Sequence, residues 1–180
     1  MKILVTRRLT IRPPLEVDCD DLAVHLADGA VRDRLPCAPD LSGTADIAAW
    51  VKERCRRACA GEASAWTIHR ERLIGVATLD GLQGEPKLGF FLAPAWSGRG
   101  LMAEALDAIL AHAFETAPIR AVRSAAYADD PASLRLQEKL GFRVVGSRRA
   151  WSATRAATTV EFLTRLDRDV FATSGLARAA

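Results

Sequence analysis

No apolar run in the sequence approaches the ~20 residues that a membrane-spanning helix requires, so the chain is not expected to cross a bilayer. The N-terminal stretch Ile3-Leu4-Val5 is too short for the apolar part of a signal peptide, and a cytoplasmic location is the expectation. Neither sign of charge dominates: 25 basic and 22 acidic side chains leave a net +3. Residues 1–90 are balanced at 13 of each sign, so the excess lies in the second half. That is no basic stripe, and nucleic acid is not an expected partner. Cysteine is sparse. Of Cys19, Cys37, Cys55 and Cys59 only the last two are close, whereas a zinc site needs paired cysteines or nearby histidines. His25, His69 and His112 stand one to a segment, so no metal is expected. The i, i+4 spacing puts Cys55 and Cys59 on one helix face, and free cysteine behaves as a small hydrophobe; both are expected in the core.

What is present is ordinary globular material. Hydrophobic residues make up 49% and charged residues 26%, which excludes a disordered or collagen-like chain. A chain of 180 residues buries enough surface to need neither disulfide nor metal. One domain is expected over residues 1–171, with a frayed tail of mostly small residues at 172–180.

Hydrophobic period divides the chain. Leu9-Thr10-Ile11-Arg12 alternates as a strand and stops at Pro13-Pro14. Asp18, Asp20 and Asp21 precede a short helix carrying Leu22 and Leu26; Leu35 to Gly43 reads as a loop; Thr44 is placed to cap a helix that ends at Gly61. Trp66–His69, Leu73–Leu79 and Leu88–Leu92 read as three strands joined by polar turns. A long helix from Leu101 to about Phe114 follows, then a strand at Arg120–Tyr127, a helix at Ala132–Leu140 and two closing strands. The order β-α-α-β-β-β-α-β-α-β-β is that of a mixed sheet with helices on its faces.

Two segments carry chemistry. In the first, Pro94-Ala95-Trp96-Ser97-Gly98-Arg99-Gly100-Leu101-Met102-Ala103-Glu104, a strand runs through two glycines directly into a helix. The first amides of a helix lack intrahelical partners and sit at the positive end of its dipole, so such a turn makes a nest for a pyrophosphate. Gly98-x-Gly100-x-x-Ala103 also fits the dinucleotide fingerprint, but hairpin-like strands precede it and Arg120 to Ala128 contains no acid for a ribose. The second segment is Asp129-Asp130-Pro131-Ala132-Ser133 through Gln137-Glu138-Lys139-Leu140-Gly141-Phe142.

With both segments in place the chain resembles the GNAT superfamily of acyl-CoA-dependent N-acetyltransferases. The likeness is to its RimJ/RimL-type branch, named for enzymes that acetylate ribosomal-protein N-termini. Thr6-x-Arg8-Leu9-x-x-Arg12, Leu73-Ile74-Gly75 and Leu88-Gly89-Phe90-Phe91-Leu92 match that branch in order, so the likeness spans nearly the whole chain. It implies an α/β (α+β) fold with a central mixed, largely antiparallel sheet, helices on both faces and a splay between the fourth and fifth strands, Leu88–Leu92 and Arg120–Tyr127. It implies acetyl-CoA as co-substrate, no metal, and a primary amine as acceptor, either a protein N-terminus or a small amine. A monomer and a homodimer both fit. The alternative is a non-catalytic acyl-CoA-binding or regulatory domain.

Residue by residue, the resemblance places the pantetheine arm against backbone groups near Phe91 and Leu92. The pyrophosphate falls on Gly98, Arg99, Gly100, Leu101, Met102 and Ala103, with Asp130 and Ser133 lining the other side of the splay. Asp130 stands where the branch commonly has Asn, and an ionised carboxylate cannot donate. The tyrosine acid of other GNAT branches falls on Gln137, and the acid often found at the start of the third central strand, Leu88–Leu92, falls on Lys87, near Glu85. The resemblance puts the Ser133 slot near the sulfur, which makes Ser133 the candidate acid for the departing thiolate; Tyr127, the only tyrosine, ends the strand before that helix and is the second. Glu161 and Glu85 are candidate bases acting through water. Glu104, in a helix's first turn, is read as structural. Juxtaposing two substrates supplies ~7–11 kcal/mol, more than acid–base help, so the fold does not depend on one decisive residue. Acceptor choice is expected to rest on the first helices, with Asp18–Asp21 as an attraction for cations, and on the loops Leu35–Gly43 and Trp151–Ala157.

Overall fold

The computed structural model describes residues 2–34 and 43–173. The strands are β1 (Leu4–Val5), β2 (Thr10–Arg12), β3 (Ala63–His69), β4 (Leu73–Asp80), β5 (Lys87–Leu92), β6 (Ala121–Tyr127), β7 (Arg143–Ser152) and β8 (Ala157–Asp167). The helices are α1 (Cys19–Ala27), α2 (Gly29–Arg32), α3 (Thr44–Cys59), α4 (Leu101–Thr116), α5 (Pro131–Lys139) and α6 (Arg168–Thr173). All strands join one sheet in the order β1-β2-β3-β4-β5-β6-β8-β7, and only β5 and β6 run parallel. Among the described residues no helix is long and apolar enough to cross a membrane.

Strand alternation builds a layer on each face. Val76 of β4 packs with Leu22 and Leu26 of α1 and Ile47 and Val51 of α3. Its neighbour Ala77 belongs to the other cluster, where Leu101, Ala105, Leu106 and Ile109 of α4 meet Trp66, Leu79 and Val122. Successive side chains point to opposite faces, so the helices flank the sheet on both sides.

The splay is where the resemblance puts it, between β5 and β6, since β1 adds one strand to the count. The two strands share a single register pair, Lys87 with Arg123, whereas β6 pairs along its whole length with β8. Just past that pair the Ser124 hydroxyl donates to the Leu88 carbonyl at 3.0 Å, a side chain standing in for the next ladder bond. Ion pairs brace the closed end: Glu85 takes Arg123 and Arg165, and Asp167 takes Arg165 and Arg143.

Several expectations need correction. β1, α2 and α6 are too short to show a period and were not expected. Ala172 and Thr173 end α6, beside the buried Phe171, and are not tail; residues 174–180 lie outside the described residues. Thr44 is the first residue of α3 rather than its cap, which is an extended Gly43. Cys55 and Cys59 are exposed. They continue the Ile47–Val51 stripe at four-residue steps, and each such step turns ~40° round a helix of 3.6 residues per turn, so the stripe drifts out of the core. Cys37 and the predicted loop at 35–42 lie outside the described residues.

Candidate active site

Gly98 and Gly100 both adopt left-handed backbone, φ +74° and +71°, which swings the chain from the turn after β5 into α4. Gly100 caps α4 without any side chain, so the amides of the first turn remain open to a ligand. The turn is braced from a distance. Arg8 Nη1 donates to the Arg99 carbonyl at 3.0 Å, and its Nε meets Glu104 Oε2 at 2.6 Å. Glu104 Oε1 accepts from Thr6 Oγ1 at 2.6 Å and the Arg8 amide at 2.9 Å. Burial opposes the charged form of Glu104, but these donors outweigh it and hold the carboxyl below its ordinary range. Glu104 is structural, and its partners are the Thr6 and Arg8 of the first motif.

The same motif's Arg12 forms a two-fold ion pair with Asp18, each bond 2.7 Å, and the Leu15 amide also donates to that carboxylate. Asp18 is buried and thereby committed. It is therefore not free to face an acceptor, whereas Asp20 and Asp21 are exposed.

Strand parity decides which part of β5 faces the splay. The Ala93 amide bonds back to Ile74 of β4, while the Leu88 carbonyl receives Ser124 of β6. Backbone groups alternate sides along a strand, so Phe90 and Leu92 present theirs to the splay and Phe91 turns its own toward β4. Phe91 contributes its side chain instead. Gly75 permits the close approach on the β4 side, because a Cβ there would stand 2.5 Å from the Phe91 carbonyl oxygen.

A cavity of about 520 Å³ opens at this place. Phe90, Phe91 and Leu92 wall it from β5; Gly98, Gly100, Leu101, Met102 and Ala103 wall it from the α4 turn. Asp130, Ala132, Ser133, Arg135, Leu136 and Lys139 close it from α5. Asp130 caps α5, its Oδ1 accepting from the Ser133 amide at 3.1 Å. Behind Ser133 stands Gln137, whose Nε2 donates to Ser133 Oγ at 3.2 Å.

Residues 8–143 match the family model described as acetyltransferase (GNAT) domain. The chain belongs to the GNAT acetyltransferase family. No curated protein sequence matches it significantly. Among solved structures it is similar to RimL, the ribosomal L7/L12 α-N-protein acetyltransferase in complex with coenzyme A, at TM-score 0.84 and 17% identity over 94% of this chain and 99% of that one. It is also similar to Mycobacterium smegmatis RimJ in complex with CoA-disulfide, at TM-score 0.79 and 18% identity over 89% of this chain and 82% of that one. The ribosomal-protein-S5-alanine acetyltransferase of Vibrio fischeri aligns at TM-score 0.83 and 13% identity over 94% of this chain and 98% of that one.

In this GNAT chain the remaining candidates do not gather at the cavity. Tyr127 is buried, donates its hydroxyl to Ser152 Oγ at 2.8 Å and lies under the Arg155 guanidinium, 4.0 Å from its ring. Glu161 is paired with Tyr127 across β6–β8 and is held by Arg148 at 2.7 Å. Neither belongs to the cavity wall. Glu85 sits at the closed end of the splay in its arginine cluster and does not belong to the cavity wall. Arg99 turns its guanidinium over Trp96, 5.3 Å from the ring centre, and Arg70 lies over the same ring at 5.4 Å. Three cavity cations went unnoticed in the sequence: Arg34 beyond α2, and Arg135 and Lys139 on α5. The i, i+4 spacing of the last two, on the helix opened by the second motif, was the available signal. Among the described residues no group of three or more His, Cys, Asp or Glu is placed to hold a metal.

Proposed function

We propose that this acetyltransferase moves the acetyl group of acetyl-CoA to a primary amine by direct attack within a ternary complex. The observation that carries the reading is the open splay, with the Leu92 backbone on one wall and the Ser133 hydroxyl on the other. The residues present fit the co-substrate. The cavity lies within the ~300–1,000 Å³ range of small-molecule sites. The uncapped amides of Leu101, Met102 and Ala103 suit a pyrophosphate, and Arg34, Arg135 and Lys139 supply compensating charge. The Leu92 backbone can accept and donate to an amide-bearing pantetheine arm.

When bound, acetyl-CoA supplies an acetyl group activated as a thioester. The protein then brings three things to the reaction. It orients the thioester along β5, where the Leu92 amide is positioned to polarise the carbonyl oxygen. It holds an acceptor amine against the opened strand edge. Ser133 donates its hydroxyl proton to the sulfur as the C–S bond breaks and the C–N bond forms. Tyr127 and Glu161 are committed to Ser152 and Arg148, so the proton of the attacking amine passes to solvent water, which returns a proton to the Ser133 oxygen and restores its hydroxyl.

The acceptor is a protein N-terminus or a small amine. The first is supported by likeness to ribosomal-protein acetyltransferases, the second by likeness to the microcin C7 self-immunity acetyltransferase MccE, solved with acetyl-CoA and AMP. A second reading, acyl-CoA binding without turnover, is favoured by one observation, the Asp130 carboxylate in the cavity wall.

Thermal shift with acetyl-CoA, CoA and NAD(P)H tests the site, and thiol release with peptides and small amines tests the reaction. A ligand at ~100 times its Kd adds ~2.7 kcal/mol, a shift of several degrees. Both CoA species are expected to shift the protein, and NAD(P)H is not. Absence of a CoA shift contradicts the reading. Binding without turnover across the amine panel selects the second one.

A further inference from the structure

We infer that Gln137 is a positioning residue for acetyl transfer, because its buried side-chain amide fixes the direction in which Ser133 delivers its proton. The inference rests on the assignment of Ser133 as the proton donor. Ser133 and Gln137 stand one helical turn apart on α5, so their side chains meet on one face. Gln137 is 1% exposed, and both ends of its amide are satisfied inside the protein. Its Oε1 accepts from Thr164 Oγ1 on β8 at 2.5 Å, and its Nε2 donates to Ser133 Oγ at 3.2 Å.

The orientation of that amide decides the chemistry. Both hydroxyls can donate or accept, so the amide dipole between them sets which each one does. Turned one way, Gln137 donates a hydrogen bond to Ser133 Oγ and leaves the Ser133 O–H free to point into the cavity that Ser133 lines. Turned the other way, its carbonyl accepts a hydrogen bond from the Ser133 O–H, and no donor faces the sulfur.

Thr164 makes the choice. Its hydroxyl is 3% exposed and bonds only to Gln137 among the described residues. Reversing the amide would strand the buried Thr164 proton, and buried donors are rarely left unpaired. Thr164 therefore holds the carbonyl end, Gln137 turns its NH2 to Ser133, and Ser133 is left as a donor toward the thioester. The hydrogen bond from the Ser133 backbone N–H to Asp130 Oδ1 fixes the same residue from its backbone side. The position where other GNAT branches carry a tyrosine acid thus serves, in this chain, to aim a serine.

Steady-state thiol release on purified full-length protein, with melting temperature and acetyl-CoA Kd measured in parallel, tests this. Ser133→Ala, Gln137→Met and the double variant form a cycle. Ser133→Ala is expected to lower kcat at least tenfold. Gln137→Met keeps the volume, removes the dipole and is expected to do the same, with Kd within about twofold of the parent. The double variant is expected to be no slower than Ser133→Ala, since both changes remove one function. Thr164→Val, remote from the cavity wall, is expected to lower kcat in the same way, and Thr164→Ser, which keeps the hydroxyl, to recover it. If Ser133→Ala leaves kcat unchanged, the donor assignment falls and this inference with it. If Ser133→Ala is slow but Gln137→Met is not, or if the losses multiply in the double variant, Gln137 is packing alone. Should Gln137→Met fail to fold, the Thr164 pair decides: equal rates for Thr164→Val and Thr164→Ser overturn the relay.

Discussion

Arg8 donates from Nη1 to the backbone carbonyl of Arg99 at 3.0 Å, joining residues 91 positions apart. The bond ties the N-terminal strand pair to the turn whose amides face the cavity, and its second anchor is Glu104 one turn into α4. Arg8 does not belong to the cavity wall, so it acts on a ligand only through the shape of the turn.

The first prediction follows from that geometry. Arg8→Met removes the brace and keeps the aliphatic stem. A hydrogen bond to a charged group contributes ~1.5–3 kcal/mol, and ~1.4 kcal/mol is tenfold in affinity. Calorimetric titration is expected to show CoA binding weakened about tenfold, while kcat at saturating acetyl-CoA stays near that of the parent. Unchanged affinity would show that the turn holds its shape without Arg8.

Glu104 gives a pH test. Its carboxyl is held below the ordinary 4.5 in the folded protein, against an ordinary value in the unfolded chain. Above pH 4.5 both states are ionised and the stabilisation is complete; as pH falls through the folded value the folded state must also take up the proton, and the stabilisation is lost. Glu104→Gln removes this contribution. Melting temperatures followed downward from pH 6 are expected to fall more steeply for the parent than for the variant, the two curves converging in acid. Parallel curves would contradict the assignment.

Much of this was legible in the sequence because it is local. The two glycines before α4, the acid in its first turn and the Asp-Pro start of α5 are short-range signals with direct physical meanings, and the splay followed from the resemblance they support. What was hidden depends on distant pairing. Nothing near Arg12 announces Asp18 as its partner, and nothing in the i, i+4 cysteines reveals that their stripe has rotated out of the core. Tyr127 and Glu161 lie beside one another across β6 and β8, as their strand positions allow. Ser152 and Arg148, which hold their polar groups, come from β7, whose register the sequence does not specify. The role of Gln137 needed Thr164, 27 residues away on another element.

Asp130→Asn exchanges one good helix cap for another, so stability is expected to change little. The substitution removes a carboxylate from the cavity wall and adds an amide donor. CoA is expected to bind several-fold more tightly, and more so at low salt, where screening is weakest. Weaker binding would mean that the carboxylate itself accepts a hydrogen bond from the ligand.

Gly75→Ala places a methyl group 2.5 Å from the Phe91 carbonyl oxygen, a backbone atom that cannot move without shifting β5. Overpacking of this kind costs about 1–3 kcal/mol. Denaturant midpoints are expected to fall accordingly, with CoA affinity falling in the same variant because β5 is one wall of the splay. Wild-type stability would show that β4 and β5 separate freely at this point.

The most direct test of the account is the rate of acetyl transfer by Ser133→Ala, measured as thiol release at saturating acetyl-CoA and amine, beside the acetyl-CoA Kd of the same preparation. The account predicts a kcat at least tenfold below the parent with Kd essentially unchanged, since Ser133 acts on the departing sulfur. A kcat equal to the parent's would remove Ser133 from the chemistry and leave transfer to juxtaposition in the splay alone.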